Sequence, residues 1–317
     1  MDSNSKFRVL FMGTPEFAVP IFESLQNAKE YKIVAVVTQP DRPVGRKQIP
    51  TPPPVKTAAK KHRIPVLQPE RLRNPEAIAE IKELNPDVIA VAAYGQIIPR
   101  AILEIPRFGA VNVHPSLLPK YRGASPIQAA IKNGDAVTGV TIMLLDEQLD
   151  HGPTLADRAV AIAPTDTAGT LSERLAQEGA KLLLEILPRY LAGELAPREQ
   201  DHTAATVVKQ LIREDGRIDW SRPAAEIERA SRAYNPWPGS WTAWNEMRLK
   251  VVQVKISSEA PEWLKPGSVF QTSDGALAVR CGNGSIVLEA LKPEGKKEMT
   301  ATDFLRGHDD FVGSHLA

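Results

Sequence analysis

Short apolar runs alternate with amphipathic segments through the first half of the chain. The apolar runs predict strands, and the segments with apolar residues three or four apart predict helices. The predicted strands are Phe7–Met12, Ile33–Thr38, Asp87–Ala93, Ala110–Val113 and Val140–Leu145. The predicted helices are Glu16–Lys29, Val55–Lys61, Pro75–Leu84, Ser125–Asn133 and Leu171–Leu187. Strands separated by helices indicate an α/β fold with a doubly wound, mainly parallel sheet, which binds ligands at the carboxyl ends of its strands.

The pattern changes in the last third of the chain. A helix is predicted at Ala224–Arg232, and β-like runs broken by Gly, Pro and Asn follow it. These runs are Leu249–Ile256, Ser268–Phe270, Ala276–Arg280 and Ser285–Leu291. Short strands with turn residues between them favour a small β-barrel or a sandwich. We therefore predict an α/β domain over residues 1–188, a linker over residues 189–206 and a carboxyl-terminal β-barrel domain over residues 207–317.

Length and composition agree with two ordinary globular domains. The chain has 317 residues, of which 43% are hydrophobic. No apolar run approaches the ~20 residues that a membrane-spanning helix needs, and the start lacks the features of a signal peptide. The single cysteine, Cys281, excludes a disulfide within the chain and a cysteine-based zinc site. We expect a cytoplasmic protein with no membrane partner, and a monomer, because no apolar stripe or heptad demands a dimer.

Charge is balanced over the whole chain but not along it. The sequence has 39 basic and 38 acidic residues. Between Thr38 and Arg63, however, seven basic residues stand against one acidic residue, Asp41. A local basic segment on a neutral protein is typical of a surface that meets a polyanion, although a solvated loop and helix face explains it equally well.

The segment GAVNVHPSLLPKYRGASPIQ carries the strongest chemical signal. Asn112 and His114 are two residues apart on a predicted strand, so both side chains project from one face. Pro115 ends the strand and places His114 at its carboxyl end. An amide donor beside an imidazole suits acyl-type transfer, because one can donate to a developing oxyanion and the other can shuttle a proton. The alternative is that the two polar groups only close a turn.

A second polar segment, TGVTIMLLDEQLDHGP, follows another predicted strand. It offers Asp146, Glu147 and Asp150, and a carboxylate there could orient His114 and deprotonate an attacking amine. An Asp this close to a Gly is also common in ordinary turns. No HxxxH or HExxH spacing supports a metal site. The first predicted strand ends at Gly13-Thr14-Pro15 without the GxGxxG pattern of a nucleotide-binding loop.

Several separated motifs together resemble the folate-dependent formyltransferases. They are NVHPSLLP at Asn112–Pro119 followed by Tyr121-Arg122-Gly123, FMGTPEFAVP at Phe11–Pro20, TQPDRPVGR at Thr38–Arg46, AAYGQIIP at Ala92–Pro99 and YNPWPGSWT at Tyr234–Thr242. Because these motifs stand in the right order from end to end, the resemblance is far more specific than any one of them. It implies a Rossmann-like catalytic domain and an OB-like carboxyl-terminal domain that binds tRNA.

The resemblance also implies a reaction and its residues. The formyl group of 10-formyltetrahydrofolate, a reduced folate, would pass to the free amino group of initiator methionyl-tRNA, with no metal. The implied catalytic residues are Asn112, His114 and Asp150. The implied folate-binding residues are Ser116, Leu117, Leu118 and Pro119, with Tyr94, Gly95, Gln96 and Ile97. The implied tRNA-binding residues are Arg42, Arg46 and Lys47. Two positions depart from the pattern, Pro115 and Pro153, and neither removes a catalytic group.

Two alternatives remain at this stage. The same chemistry could serve another amine, on a nucleotide or an amino sugar, or could hydrolyse the formyl folate. The basic segment and the second domain favour tRNA instead. A protein of another class, a non-catalytic RNA-binding protein on the same fold, would not need Asn112, His114 and Asp150 together. Trp237, Trp241 and Trp244 could stack on bases, but packing in a barrel core is their commoner use.

Overall fold

The structure is a computed structural model that describes residues 6–44 and 48–317. The chain divides into two compact units. The first unit contains the residues up to 126 together with 137–161 and 172–208. The second contains residues 127–136, 162–171 and 209–317.

The elements up to residue 208 follow the predicted alternation. The strands are β1 (Phe7–Gly13), β2 (Tyr31–Val37), β3 (Arg42–Val44), β4 (Ile49–Thr51), β5 (Val66–Leu67), β6 (Val88–Ala92), β7 (Ala110–His114), β8 (Arg122–Gly123), β9 (Val137–Leu144), β10 (Thr154–Ala161) and β11 (Val207–Val208). The helices are α1 (Ala18–Asn27), α2 (Pro54–Lys61), α3 (Pro75–Glu83), α4 (Arg100–Leu103), α5 (Pro126–Asn133) and α6 (Ala168–Leu191).

Within the described residues, seven of these strands form the main sheet in the order β10-β9-β7-β6-β1-β2-β5. β1 pairs in parallel with β2 on one side and β6 on the other, and β6 pairs in parallel with β7. β9 runs antiparallel to both β7 and β10. The doubly wound, mainly parallel sheet is therefore confirmed. The strand order reverses at β1, so the loops that follow β1 and β6 lie at the switch point where such sheets bind ligands.

Close packing beneath the sheet fixes the strands that end at this edge. Buried side chains such as Leu10, Met12, Ile89 and Val91 form one hydrophobic cluster. Gly179 of α6 lets the helix approach β7, because a Cβ there would lie 2.7 Å from a methyl carbon of Val113. The strand that carries Asn112 and His114 therefore packs closely against α6 on one face.

Some boundaries differ from the sequence predictions. α1 begins at Ala18 rather than Glu16, because residues 14–17 form a bend and a turn before the helix. α6 begins at Ala168 rather than Leu171 and continues past Leu187 to Leu191, with Pro188 inside the helix. β10 was not predicted; its alternating half-buried pattern is typical of an edge strand.

The second unit is built on an antiparallel sheet. It includes residues 127–133 of α5 and residues 168–171 of α6. Its later helices are α7 (Ala224–Ala233) and α8 (Ala301–Leu305), and its strands are β12 (Ser240–Trp244), β13 (Met247–Ile256), β14 (Val269–Gln271), β15 (Leu277–Arg280), β16 (Ser285–Pro293) and β17 (Met299–Thr300). The order is β12-β13-β16-β15-β14, with β17 also paired to β16. This half-barrel confirms the predicted small β-domain. β12 was missed by the strand prediction.

The three tryptophans considered above have different places in this unit. Trp244 is buried in the core, edge-on to Phe311 with ring centroids 4.9 Å apart. The guanidinium carbon of Arg248 lies 3.8 Å from the centre of the Trp241 ring. Trp237 is 52% exposed. Packing therefore accounts for Trp244, and one face of Trp241 is already covered by a cation.

Within the described residues, helices long and apolar enough to cross a bilayer do not occur.

Candidate active site

Asn112 and His114 lie on the last residues of β7, paired on both sides. Val91 of β6 is the register partner of Asn112, and Thr141 of β9 is the partner of His114. Alternation along the strand turns both side chains to the same face, and both are buried, with 8% and 4% exposure. Strand pairing holds Asn112 on both sides and His114 on the β9 side, so the predicted neighbours do occupy one face at the carboxyl end of the strand.

His114 has a defined tautomer in this geometry. Its Nε2 lies 2.9 Å from the backbone oxygen of Tyr121. A carbonyl oxygen can only accept, so Nε2 must carry a hydrogen and donate it. Its Nδ1 then faces the carboxylate of Asp150, with 3.7 Å between Nδ1 and Oδ1. The structure therefore brings His114 and Asp150 together as an imidazole–carboxylate pair, at a separation longer than a hydrogen bond.

Asp150 is buried and held in a sparsely populated backbone conformation. Its φ of 47° lies in the left-handed region, which non-glycine residues adopt uncommonly, although aspartate adopts it more often than most. Its Oδ2 accepts a hydrogen bond of 2.7 Å from the backbone N–H of Gly123. Because Oδ2 is held there, Oδ1 is left to face His114.

The neighbouring carboxylates have other partners. Asp146 accepts from the backbone N–H of Gln148 and lies 2.7 Å from Nδ1 of His151. Glu147 is exposed, 3.8 Å from the Arg100 guanidinium. Of the three carboxylates in this segment, Asp150 is the one that the structure places against His114.

Ser116–Pro119 forms a firmly bonded loop directly after β7. The Ser116 hydroxyl donates to the backbone oxygen of Lys120 over 2.6 Å. The Thr141 hydroxyl accepts from the backbone N–H of Leu118 and donates to the backbone oxygen of Ser116. The Leu118–Pro119 peptide bond is cis. The side chains of Leu117 and Pro119 are half-buried. Hydrogen bonds within the protein therefore fix the conformation of this loop.

Tyr94–Ile97 follows β6 at the switch point. The Tyr94 side chain is buried in the hydrophobic cluster, which raises its pKa to about 12, so it stays neutral. Its carbonyl accepts from the Thr14 hydroxyl over 2.7 Å. Gly95 takes a positive φ of 91°. The Gln96 side chain accepts from the backbone N–H of Leu72, whereas Ile97 is 87% exposed.

Arg42, the candidate tRNA contact within the described residues, lies on a separate hairpin. Arg42 begins β3, which pairs antiparallel with β4. Its side chain is 61% exposed and makes an ion pair of 3.0 Å with Glu70. The other two candidates, Arg46 and Lys47, lie outside the described residues. At the base of the hairpin, Lys56 lies 2.7 Å from Asp41.

Two groups that the sequence did not single out complete the corner around Asp150. The Tyr121 carbonyl fixes the tautomer of His114, and Gln200 donates to the carbonyls of Asp150 and Gly152. Tyr121 lies inside a recognised motif, but a backbone oxygen leaves no mark in the sequence. Gln200 lies in the stretch assigned to a linker and had no signal at all. Within the described residues, groups of three or more His, Cys, Asp or Glu that could hold a metal ion do not occur.

Two family models match the chain in succession. The model described as formyl transferase matches residues 5–187, and the one described as formyl transferase, C-terminal domain, matches residues 210–309. The methionyl-tRNA formyltransferase of Roseiflexus castenholzii is 49% identical over 300 residues, which cover 95% of this chain and 96% of the relative. That of Myxococcus xanthus is 46% identical over 312 residues, which cover 98% of each chain.

Solved structures share the fold at low sequence identity. HypX from Aquifex aeolicus, in complex with tetrahydrofolic acid, covers 97% of this chain with a TM-score of 0.66 and 17% identity; this chain spans 48% of HypX. The N-formyltransferase from Helicobacter canadensis, in complex with folinic acid and dTDP-3-aminofucose, has a TM-score of 0.65 and 19% identity, covering 89% of this chain and 98% of that one. With the matched models spanning more than half of its length and relatives this similar, the chain belongs to the formyl transferase family.

Proposed function

We propose that the chain transfers the formyl group of 10-formyltetrahydrofolate to the free amino group of initiator methionyl-tRNA, and so makes N-formylmethionyl-tRNA. One observation carries this proposal: relatives named methionyl-tRNA formyltransferase are 46–49% identical to the chain over 95–98% of its length, across both matched regions. The buried corner at the end of β7 supports it with groups suited to acyl transfer.

In the proposed reaction the amine nitrogen attacks the formyl carbon, and the bond from that carbon to the folate nitrogen breaks. The formyl oxygen gains negative charge as the amine attacks. The Asn112 side-chain amide would donate to this oxygen, a type of contact worth ~3–4 kcal/mol of transition-state stabilisation. His114 would place positive charge beside it when Nδ1 is protonated.

Proton transfer is the proposed task of the His114–Asp150 pair. Asp150 Oδ1 would take the proton that the amine loses, directly or through a water. His114 Nδ1, 3.7 Å from that oxygen, would relay a proton to the leaving folate nitrogen. Because Nε2 donates its hydrogen bond to the Tyr121 carbonyl, Nδ1 is the ring nitrogen that would take part in this proton transfer.

The loops around the corner fit a flat, partly apolar ligand. Ile97 and Leu149, which is 62% exposed, present large apolar side chains to solvent close in sequence to the site residues. Tyr94–Ile97 follows β6, beside β1 where the strand order reverses, and Ser116–Pro119 follows the adjacent strand β7. We assign folate binding to these two loops.

The basic segment is the proposed contact for the acceptor end of tRNA. Arg42, Arg46 and Lys47 would meet phosphates, and Arg42 is free to exchange its exposed partner Glu70 for a phosphate at small cost. The half-barrel adds a second cationic surface, where Arg217 and Arg248 lie 5.8 and 3.8 Å from the centre of the Trp241 ring. Burial and then the nearby Arg213 lower the pKa of Arg248, while Glu214 and Glu294 act in the opposite direction.

A comparison of acceptors tests the proposed function. Formyl transfer from 10-formyltetrahydrofolate should be measured with methionyl-tRNA, an amino-sugar nucleotide, glycinamide ribonucleotide and water as acceptors. We expect methionyl-tRNA to be preferred by a factor of ~10⁴ in kcat/KM, the lower end of the range that hydrogen-bond-based discrimination reaches. Equal or better use of a sugar nucleotide would overturn the assignment of the acceptor, and release of formate without an acceptor would indicate a hydrolase.

A further inference from the structure

A polar stretch that follows α6 returns to the corner around Asp150. We call Arg198–Val208 the return segment. It begins with backbone hydrogen bonds between Arg198 and Thr154, and it ends where β11 pairs in parallel with β8. Between these points the Thr206 hydroxyl accepts from the backbone N–H of Tyr121. The segment therefore touches the two loops that hold His114 and Asp150.

Gln200 is the buried side chain of this segment, with 7% exposure. Its Nε2 donates to the carbonyls of Asp150, over 2.9 Å, and Gly152, over 2.7 Å. Its Oε1 accepts from Nε and Nη2 of Arg122, over 3.2 and 2.8 Å. These contacts use both donor hydrogens and both acceptor positions of the amide, so its orientation is fixed.

Two anchors hold Asp150: the return segment supplies one and positions the other. One anchor is the Gln200 amide, which holds the carbonyls on either side of the strained turn. The other is the N–H of Gly123, which bonds Asp150 Oδ2 and whose position is set by the pairing with Val208. A Cβ at Gly123 would lie 2.2 Å from the Val208 oxygen, so the two backbones are in close contact. Aspartate reaches the left-handed conformation more readily than most residues, and these hydrogen bonds hold Asp150 in it.

Arg122, which donates to Gln200 Oε1, begins a second series of polar contacts. Arg122 Nη2 lies 2.8 Å from Nδ1 of His202, which must accept because a guanidinium only donates. The His202 ring stacks on His151 with centroids 4.0 Å apart and planes within 5°. His151 in turn pairs with Asp146. His202 therefore holds Arg122 independently of Gln200. The Nε and Nη2 atoms of Arg122 in turn fix the orientation of the Gln200 amide.

From these contacts we infer that Gln200 is a positioning residue for formyl transfer: it holds the turn at Asp150 so that Oδ1 faces His114. The inference rests on the proposed catalytic role of Asp150. The described hydrogen bonds of Gln200 go to Arg122, Asp150 and Gly152 rather than to His114 or the folate loops, so we expect its effect to pass through the turn at Asp150. Loss of its donors should lower kcat and leave the KM for either substrate nearly unchanged.

Gln200→Glu removes the donors and keeps the size and the Arg122 contacts. A carboxylate there would face the carbonyl oxygens of Asp150 and Gly152 and push the turn away. We expect kcat to fall by ~10²-fold, as displacements of about 1 Å from a catalytic geometry do, with both KM values within about threefold. Gln200→Met, which is neutral and of similar size, should show the same split if the acidic variant does not fold. Gln271→Glu, an exposed change on β14, is the matched control and should retain wild-type kcat.

A double-mutant cycle with Asp150→Asn decides the matter. If Gln200 acts through Asp150, then Gln200→Glu should cost nothing further in the Asp150→Asn background. An equal loss in both backgrounds would make Gln200 a general structural residue and overturn the inference. If Gln200→Glu kept full activity while Asp150→Asn lost most of it, the positioning role of Gln200 would be overturned and the catalytic role of Asp150 would stand. Full activity of Asp150→Asn would remove the catalytic role of Asp150 and this inference together.

Discussion

The corner around His114 and the hairpin around Arg42 belong to the same unit and are built in opposite ways. His114 and Asp150 are buried, and the backbone of Tyr121 and Gly123 fixes their orientation. Arg42 and its partner Glu70 are 61% and 67% exposed, and such an ion pair contributes only ~0–1 kcal/mol. Hydrogen bonds within the protein fix the geometry of the corner, which suits a reaction that needs its catalytic groups in defined positions. The hairpin can exchange its partners, which suits contact with a large polyanion.

The largest expected effect is on the chemistry of the corner. His114→Gln keeps a polar side chain but loses the titratable ring, and Asn112→Ala loses the amide donor. We expect each to lower kcat by ~10²–10³-fold, with little change in the thermal midpoint of unfolding. Steady-state formylation of methionyl-tRNA measures the first quantity and calorimetry the second. If both variants kept near-wild-type kcat, the corner would not be the reacting site.

A backbone change at the corner should be nearly as damaging. A Cβ on Gly152 would lie 2.1 Å from the Leu144 oxygen, so Gly152→Ala must move the turn that carries Asp150. We expect a loss of ~10² in kcat. The control is Gly307→Ala, where a Cβ would meet no described atom within 4 Å. Matched kinetic constants for the two variants would show that the turn tolerates displacement, contrary to a preorganised corner.

On the hairpin side, the expected effect is smaller and depends on salt. Arg42→Ala should weaken methionyl-tRNA binding and reduce the slope of log K against log salt by ~0.7–0.9, the value for one phosphate contact. The kcat at saturating tRNA should stay close to that of the wild type. Binding measured at a series of salt concentrations tests this. An unchanged slope would take Arg42 out of the tRNA interface.

The smallest expected effect concerns Asp41 at the base of the hairpin. Hydrogen bonds from Gln68 and then Lys56 lower the pKa of its carboxyl group below the ordinary value of 3.8. A lowered pKa stabilises the fold above that value, and the contribution disappears as the pH falls through the lowered pKa. We therefore expect Asp41→Asn to lower the thermal midpoint slightly at pH 6 and to differ less from the wild type as the pH falls below 3.8. A difference that grew toward pH 3 would contradict this.

The sequence allowed the parallel sheet and the neighbouring Asn112 and His114 to be predicted, because both follow from local periodicity. The resemblance of separated motifs added Asp150, and the structure places it against His114. The contribution of Gln200 could not be predicted, because it depends on a chain path that returns over 48–50 residues to Asp150 and Gly152. The same holds for the Tyr121 carbonyl. Backbone groups and side chains distant in sequence leave no periodic pattern in the sequence, yet they fix the orientation of His114 and Asp150.

The central claim is that a buried imidazole–carboxylate pair at the end of β7 transfers the formyl group to methionyl-tRNA. Single-turnover transfer from 10-formyltetrahydrofolate, with enzyme in excess over methionyl-tRNA, tests it most directly in Asp150→Asn. This change keeps the size of the side chain and its contact with Gly123. We predict a rate ~10³-fold below wild type, within the range for loss of a general base, with the folded state intact. A wild-type rate in that variant would contradict the account.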